Sequence, residues 1–141
     1  MWGRLALQRK GADVLEAIIF TTDDAEYEVL KRVITGEALD AEVFRAVMDG
    51  HGHYDHEYDI AIVALEGARG MNTVVGVSDH FRDTRIIWIT SDRDFSMVAI
   101  QKHISDFITR PYGEDRIRES VRRVIPLCPN RHRYRFYDIA N

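Results

Sequence analysis

Short apolar runs that suit strands recur along the chain and are separated by longer segments of mixed polarity. They cover residues 15–20, 58–63, 86–89 and 107–108, and they are rich in isoleucine, valine and aromatic residues. Runs of this length that lack a regular polar alternation are typical of strands buried on both faces of a sheet. The pattern therefore predicts the buried strands of a parallel sheet.

The segments between these runs have the apolar spacing of helices. Apolar residues recur three or four positions apart, and candidate caps precede them, for example Asp23 and Ser91-Asp92. Helices are predicted over about residues 24–36, 72–81, 92–102 and 114–125. The second of these contains Thr73, Val74, Val75 and Gly76, which disfavour a helix, so packing has to stabilise it.

Residues 37–50 fit either of two elements. They could form a capped helix that carries Val43, Phe44 and Val47, or they could hold a short strand. In either case, strands that alternate with helices on short links indicate a parallel sheet covered by helices on both faces. The predicted fold class is a five-stranded, three-layer α/β sandwich.

The chain is long enough for one domain, and its bulk properties point to a cytoplasmic protein. It has 141 residues, and no apolar run approaches the ~20 residues that a membrane-spanning helix needs. The apolar part of the N-terminal segment is too short for a signal peptide. A single cysteine, Cys128, cannot form an internal disulfide, which suits a reducing compartment.

Positive charge is concentrated towards the C-terminus. Residues 110–135 contain eight arginines against three acidic residues, and residues 131–137 interleave arginines and aromatic residues. This pattern suits a solvated helix face followed by a polar tail or an edge strand. A site for nucleic acid is the alternative interpretation, either on this tail or, if the sequence is part of a longer protein, on a further domain.

Three segments near the predicted strand ends carry a more specific pattern. They are Tyr58-Asp59 running through apolar residues to Ala64, Leu65 and Glu66; the strand that ends on Thr90; and Asp106-Phe107-Ile108-Thr109-Arg110-Pro111-Tyr112. In this order and spacing they resemble the receiver domain of bacterial two-component response regulators, of the type attached to LytTR DNA-binding domains. The resemblance implies a flavodoxin-like (βα)5 fold with a parallel sheet in the order 2-1-3-4-5.

The resemblance divides the chain into three parts. It covers about residues 13–126, which we predict to be the receiver-like domain. Residues 1–12 are then an N-terminal extension, and residues 127–141 form a basic and aromatic tail.

The same resemblance implies a phosphorylation pocket, and several of its positions have changed. Ala64 stands where the family has its phosphate-accepting aspartate, Thr21-Thr22 stand at the acidic pair with Asp23 just beyond, Arg110 replaces a lysine, and Thr90 is retained. A methyl group cannot act as the nucleophile, and hydroxyls are poor ligands for a hard cation. A guanidinium is also not equivalent to an ammonium. We therefore expect a vestigial pocket without enzymatic activity and without bound Mg²⁺.

The expected function is that of a non-catalytic receiver module in signal transduction or transcription regulation. In the family, the phosphoryl group is coupled through the threonine at position 90 and the aromatic residue at 107 to a face made by the last two helices and the intervening strand. We predict that this face, including Phe107, Arg118 and Arg122, docks a protein partner or a second copy without phosphorylation. The alternative is that Thr90 and Phe107 only pack the sheet.

One further motif indicates a different class of protein. Residues 51–56 match the H-x-H-x-D-H signature of metallo-β-lactamase-type hydrolases, which would make His51, His53, Asp55 and His56 zinc ligands. That family needs a larger sandwich and further downstream ligands, which this chain does not supply. The motif is therefore expected to be a solvated loop. Adventitious Zn²⁺ binding by this histidine-rich loop is a second interpretation, and a zinc-dependent hydrolase is the alternative function.

Overall fold

The computed structural model describes residues 14–48 and 56–128. The strands are β1 (Glu16–Thr21), β2 (Glu42–Arg45), β3 (Ile60–Ala64), β4 (Arg85–Thr90) and β5 (Asp106–Thr109). The helices are α1 (Asp24–Glu37), α2 (Gly67–His80), α3 (Ser96–Gln101) and α4 (Glu114–Val124). Short 3₁₀ turns precede α3 (Arg93–Phe95) and follow α4 (Ile125–Leu127).

The five strands form one parallel sheet in the order β2-β1-β3-β4-β5, which confirms the predicted topology. Successive side chains of each strand point to opposite faces of the sheet, so they contribute to two separate hydrophobic cores. On one face, isoleucines such as Ile19 and Ile62 pack against α1 and α4. On the other face, Val63 and Trp88 pack against α2 and α3. The arrangement is the three-layer sandwich that the alternating pattern predicts.

The structure decides between the two interpretations of residues 37–50 and extends one predicted helix. Residues 42–45 are a strand, β2, which pairs with β1 at the edge of the sheet. Helix α2 begins at Gly67, five residues before the predicted start. Buried Val74 and Val77 hold this helix on the sheet, in agreement with the expectation that packing has to offset its weak propensity.

Aspartate side chains cap α1 and the 3₁₀ turn before α3, at the carboxyl edge of the sheet. The Asp23 carboxylate accepts hydrogen bonds from the amides of Ala25 and Glu26, so it is the N-cap of α1 as predicted. Asp92 caps the 3₁₀ turn before α3 in the same way. The peptide bond between Arg110 and Pro111 is cis.

Some predictions fall partly outside the described residues. The N-terminal extension and most of the C-terminal tail lie there, so the proposed domain limits stay predictions. Within the described residues, none of the helices combines the length and apolar character needed to cross a membrane.

Candidate functional site

The parallel sheet brings four of the predicted pocket residues to one edge. Thr21 ends β1 beside Ala64, which ends β3, because these two residues are paired in the ladder. Thr90 ends β4 and is paired with Thr109, the residue before Arg110. Since parallel strands all end at the same edge of the sheet, these side chains surround one site. Thr22, by contrast, is exposed.

Arg110 is the centre of this site. Its guanidinium donates through both terminal nitrogens to the Glu26 carboxylate, with Nη2 2.9 Å from Oε1. Its Nε donates to Glu66 Oε2 at 2.7 Å, and Nη2 also lies 3.4 Å from the carbonyl oxygen of Ala64. A planar fork with several donors suits two carboxylates at once, which a lysine ammonium could not bind in this geometry.

Glu26 is the buried partner of Arg110. Its side chain is only 6% exposed, and it accepts hydrogen bonds from Thr21 Oγ1 and Tyr112 Oη as well as from the guanidinium. The bond with Glu26 raises the pKa of Arg110 above its usual value. Burial, with the Glu26 bond and charge added, raises the pKa of the Tyr112 hydroxyl. The site therefore contains a carboxyl group that is removed from solvent and surrounded by hydrogen-bond donors.

Glu66 connects Arg110 to Thr90. Its Oε1 accepts hydrogen bonds from Thr90 Oγ1 at 3.2 Å and from the Ser91 amide at 2.8 Å. Burial alone would raise the pKa of Glu66, but the bonds from Ser91, Arg110 and Thr90 outweigh that effect and lower it. The Thr90 hydroxyl accepts in turn from the Asp92 amide at 3.2 Å. Together, Arg110, Glu26, Glu66, Thr21, Tyr112 and Thr90 form what we call the Arg110 network.

The network contains residues that the sequence did not single out. Glu26 and Tyr112 were not predicted for the site, and Glu66 was noted only as a position that the resembling family shares. Glu26 lies three residues after the cap Asp23, where a glutamate is common in a first helical turn. That signal indicates a helix start, however, and does not by itself indicate a partner for Arg110.

The Phe107 side chain lies on the face of the sheet that α2 and α3 cover, next to Trp88 of β4. Its ring is edge-on to buried Trp88, with centroids 5.4 Å apart, and Phe95 stacks on Trp88 at 5.4 Å. On α3, the neighbouring side chains of Met97 and Ile100 are exposed. We call the surface formed by α3, β5 and the adjoining side of α4 the α3–β5–α4 face.

Arginines occupy two different sides of α4. Arg116 and Arg123 bind the Asp106 carboxylate of β5, at 2.9 and 2.8 Å, and so adjoin the α3–β5–α4 face. Burial would raise the pKa of Asp106, but the hydrogen bonds from Arg116 and the charges of Arg116 and Arg123 outweigh burial and lower it.

The two arginines predicted for the interface lie on the other side of α4. Arg122 Nε donates to Glu37 of α1 at 2.7 Å. Arg118 binds Glu114 within α4, and Glu114 also accepts a hydrogen bond from Arg32 of α1. Both arginines therefore face the groove between α1 and α4, and their role in docking stays a prediction.

The histidine motif lies largely outside the described residues, because His51, His53 and Asp55 are not among them. His56 is described, and its Nε2 lies 3.0 Å from Glu16 Oε1. In residues 14–48 and 56–128, no three histidine, cysteine or acidic side chains are grouped so that they could hold a metal ion.

Comparisons with solved structures identify the fold. The response regulatory domain of protein mrkE from Klebsiella pneumoniae matches with a TM-score of 0.64 and 19% identity, over 78% of this chain and 94% of that one. The REC domain of AraT, a response regulator from Geobacillus stearothermophilus, matches with a TM-score of 0.63 and 22% identity, over 78% and 92%.

A third neighbour is a CheY-like response regulator receiver domain protein from Methanospirillum hungatei JF-1, with a TM-score of 0.63 and 16% identity over 79% and 96% of the two chains. Neither a family model nor a curated protein matches the sequence. At these identities the likeness establishes the fold, which is that of CheY-like receivers.

Proposed function

From this receiver fold, we propose that the protein is a cytoplasmic signalling module that works without aspartyl phosphorylation and without catalysis. It transmits its signal by binding a protein, either a second copy of itself or a partner, through the α3–β5–α4 face. The single observation that carries the proposal is the alanine at position 64. No carboxylate is available at the strand end where a receiver accepts its phosphoryl group.

The charges around Ala64 support the same proposal. A working receiver needs free carboxylates for a divalent cation and a free cationic side chain for the phosphoryl oxygens. In this chain Glu26 and Glu66 are both engaged by Arg110, and the Asp23 carboxylate caps α1. The guanidinium thus supplies positive charge where Mg²⁺ would otherwise be required, so a bound metal has no evident role.

The first test is intact-protein native mass spectrometry after incubation with Mg²⁺, acetyl phosphate and equimolar Zn²⁺. We expect an unphosphorylated, metal-free chain, because the nucleophile is missing and the nearby carboxylates are paired. A phosphorylation-competent receiver in the same tube serves as the control for the phosphodonor. A phosphoryl adduct on this chain would refute the proposal. A retained zinc ion with hydrolytic turnover would favour the histidine motif and the hydrolase alternative.

The docking surface is tested by one pair of substitutions at exposed apolar residues. Ile100 lies on the α3–β5–α4 face and is 69% exposed, whereas Leu39 lies between α1 and β2 and is 92% exposed. Ile100→Asp should weaken association by roughly tenfold or more, because it places an unpaired charge in the contact. Leu39→Asp should leave association unchanged.

Sedimentation equilibrium measures this effect for self-association, with titration calorimetry for an identified partner. Equal association of the two variants would show that the α3–β5–α4 face is not the docking surface.

A further inference from the structure

We infer that the Glu66 carboxylate is a permanent internal substitute for the phosphoryl group, which holds Thr90 and the start of α3 in one fixed arrangement. The inference rests on the proposed function, since it explains how a module without a phosphoryl group keeps its docking face in one state. It assigns to Glu66 a positioning role that neither the sequence motifs nor the comparisons suggest.

The first support is the set of donors that meet at this one carboxylate. Thr90 Oγ1, the adjacent Ser91 amide and Arg110 Nε all donate to Glu66, so two separate parts of the chain meet at this carboxylate. A hydroxyl, a backbone amide and a cation arranged around one point form a site for an oxyanion. A carboxylate supplied by the chain itself already fills that site.

The second support is a direct connection from Glu66 to the docking face. The Thr90 hydroxyl that donates to Glu66 also accepts from the Asp92 amide. Asp92 caps the 3₁₀ turn that leads into α3, and Phe95 in that turn stacks on Trp88. The position of Glu66 therefore sets the turn from which the exposed side chains of α3 follow.

The third support is the anchoring of Arg110. The guanidinium that holds Glu66 is itself bound through two nitrogens to buried Glu26. Arg110 consequently cannot move into solvent with Glu66 unless the buried Glu26 carboxyl group loses its ion-pair partner. Glu66 is 49% exposed, so removal of its side chain opens the donor site to dissolved anions without cutting into the core.

The test is rescue of Glu66→Ala by inorganic phosphate in an otherwise complete chain. Two NMR signals report on the arrangement: the Ser91 amide, which loses its acceptor, and the indole N–H of Trp88, which senses the turn before α3. We expect both signals to shift in Glu66→Ala. Amide exchange at Ser91 should become about tenfold faster, the loss expected for one hydrogen bond to a charged group. Millimolar phosphate should return both signals towards their wild-type positions.

The wild-type protein and Glu28→Ala, which removes an exposed glutamate of α1, are the matched controls. Neither should respond to phosphate, because Glu66 still fills the donor site. Unshifted Ser91 and Trp88 signals in Glu66→Ala would overturn the inference, as would an equal response of all three proteins to phosphate. Phosphate binding at this site is reversible and leaves no covalent mass change. Failure of the NMR rescue would therefore contradict the role of Glu66, whereas only a covalent phosphoryl adduct in the mass spectrum would contradict the proposed function.

Discussion

Replacement of Arg110 by methionine is expected to lower the free energy of unfolding by about 3–5 kcal/mol, the usual cost of leaving one partner of a buried ion pair alone. Methionine keeps most of the side-chain volume but removes the two guanidinium donors to Glu26, and only the hydroxyls of Thr21 and Tyr112 still donate to it. The Glu26 carboxylate is 6% exposed, so water cannot replace those donors without opening the site. Urea unfolding followed by circular dichroism measures the loss.

Two further variants separate charge from geometry at Arg110. Arg110→Lys keeps the positive charge but loses the fork, so its stability should lie between those of the wild type and Arg110→Met. Adding Glu26→Gln to Arg110→Met should recover part of the loss, because the buried charge is then gone. A loss below about 1 kcal/mol for Arg110→Met would mean that the pair behaves like an exposed surface ion pair.

The second large effect is expected from Gly70→Ala, at about 3 kcal/mol of destabilisation. A β-carbon at this position would lie 2.1 Å from the carbonyl oxygen of Leu65 and 2.9 Å from its carbonyl carbon. These are backbone atoms, so no side-chain rotation can relieve the clash. Leu65 lies directly before Glu66, and the forced displacement should also disturb the Arg110 network.

Gly36→Ala is the matched control for this substitution. Gly36 is also in a helix, but a β-carbon there would meet nothing within 4 Å. Its replacement should stabilise the protein by about 0.5–1 kcal/mol, since alanine favours a helix more than glycine does. Thermal and urea unfolding of the two variants should therefore shift in opposite directions. Stabilisation by both substitutions would show that helix propensity, and not the contact with Leu65, governs position 70.

The helices and strands were predictable where local periodicity is strong. The apolar runs marked β1, β3, β4 and β5, and the cap Asp23 marked the start of α1. The start of α2 was placed five residues late, at Asn72 and not at Gly67. The reason is that the first turn of α2 is rich in glycine and has almost no apolar period. It is helical because the buried residues Gly70, Val74 and Val77 pack the whole helix, including its first turn, against the sheet.

The candidate site was predictable only in part. Ala64, Thr21, Thr90 and Arg110 could be grouped in advance, because residues at the ends of neighbouring parallel strands converge at one edge of the sheet. The partners of Arg110 could not be identified in the same way. Several carboxylates lie near that edge, and Glu26 and Glu66 are 84 and 44 residues from Arg110 along the chain.

The sequence by itself thus determined the alternation of strands and helices, the strand ends that meet at the site, and the presence of an alanine at position 64. Those features follow from side-chain periodicity and from the identity of single residues. Only the tertiary structure decided that Arg110 binds Glu26 and Glu66 together, and that Glu66 reaches Thr90. A guanidinium selects among nearby carboxylates by distance, orientation and burial, and these exist only once the helices have packed on the sheet.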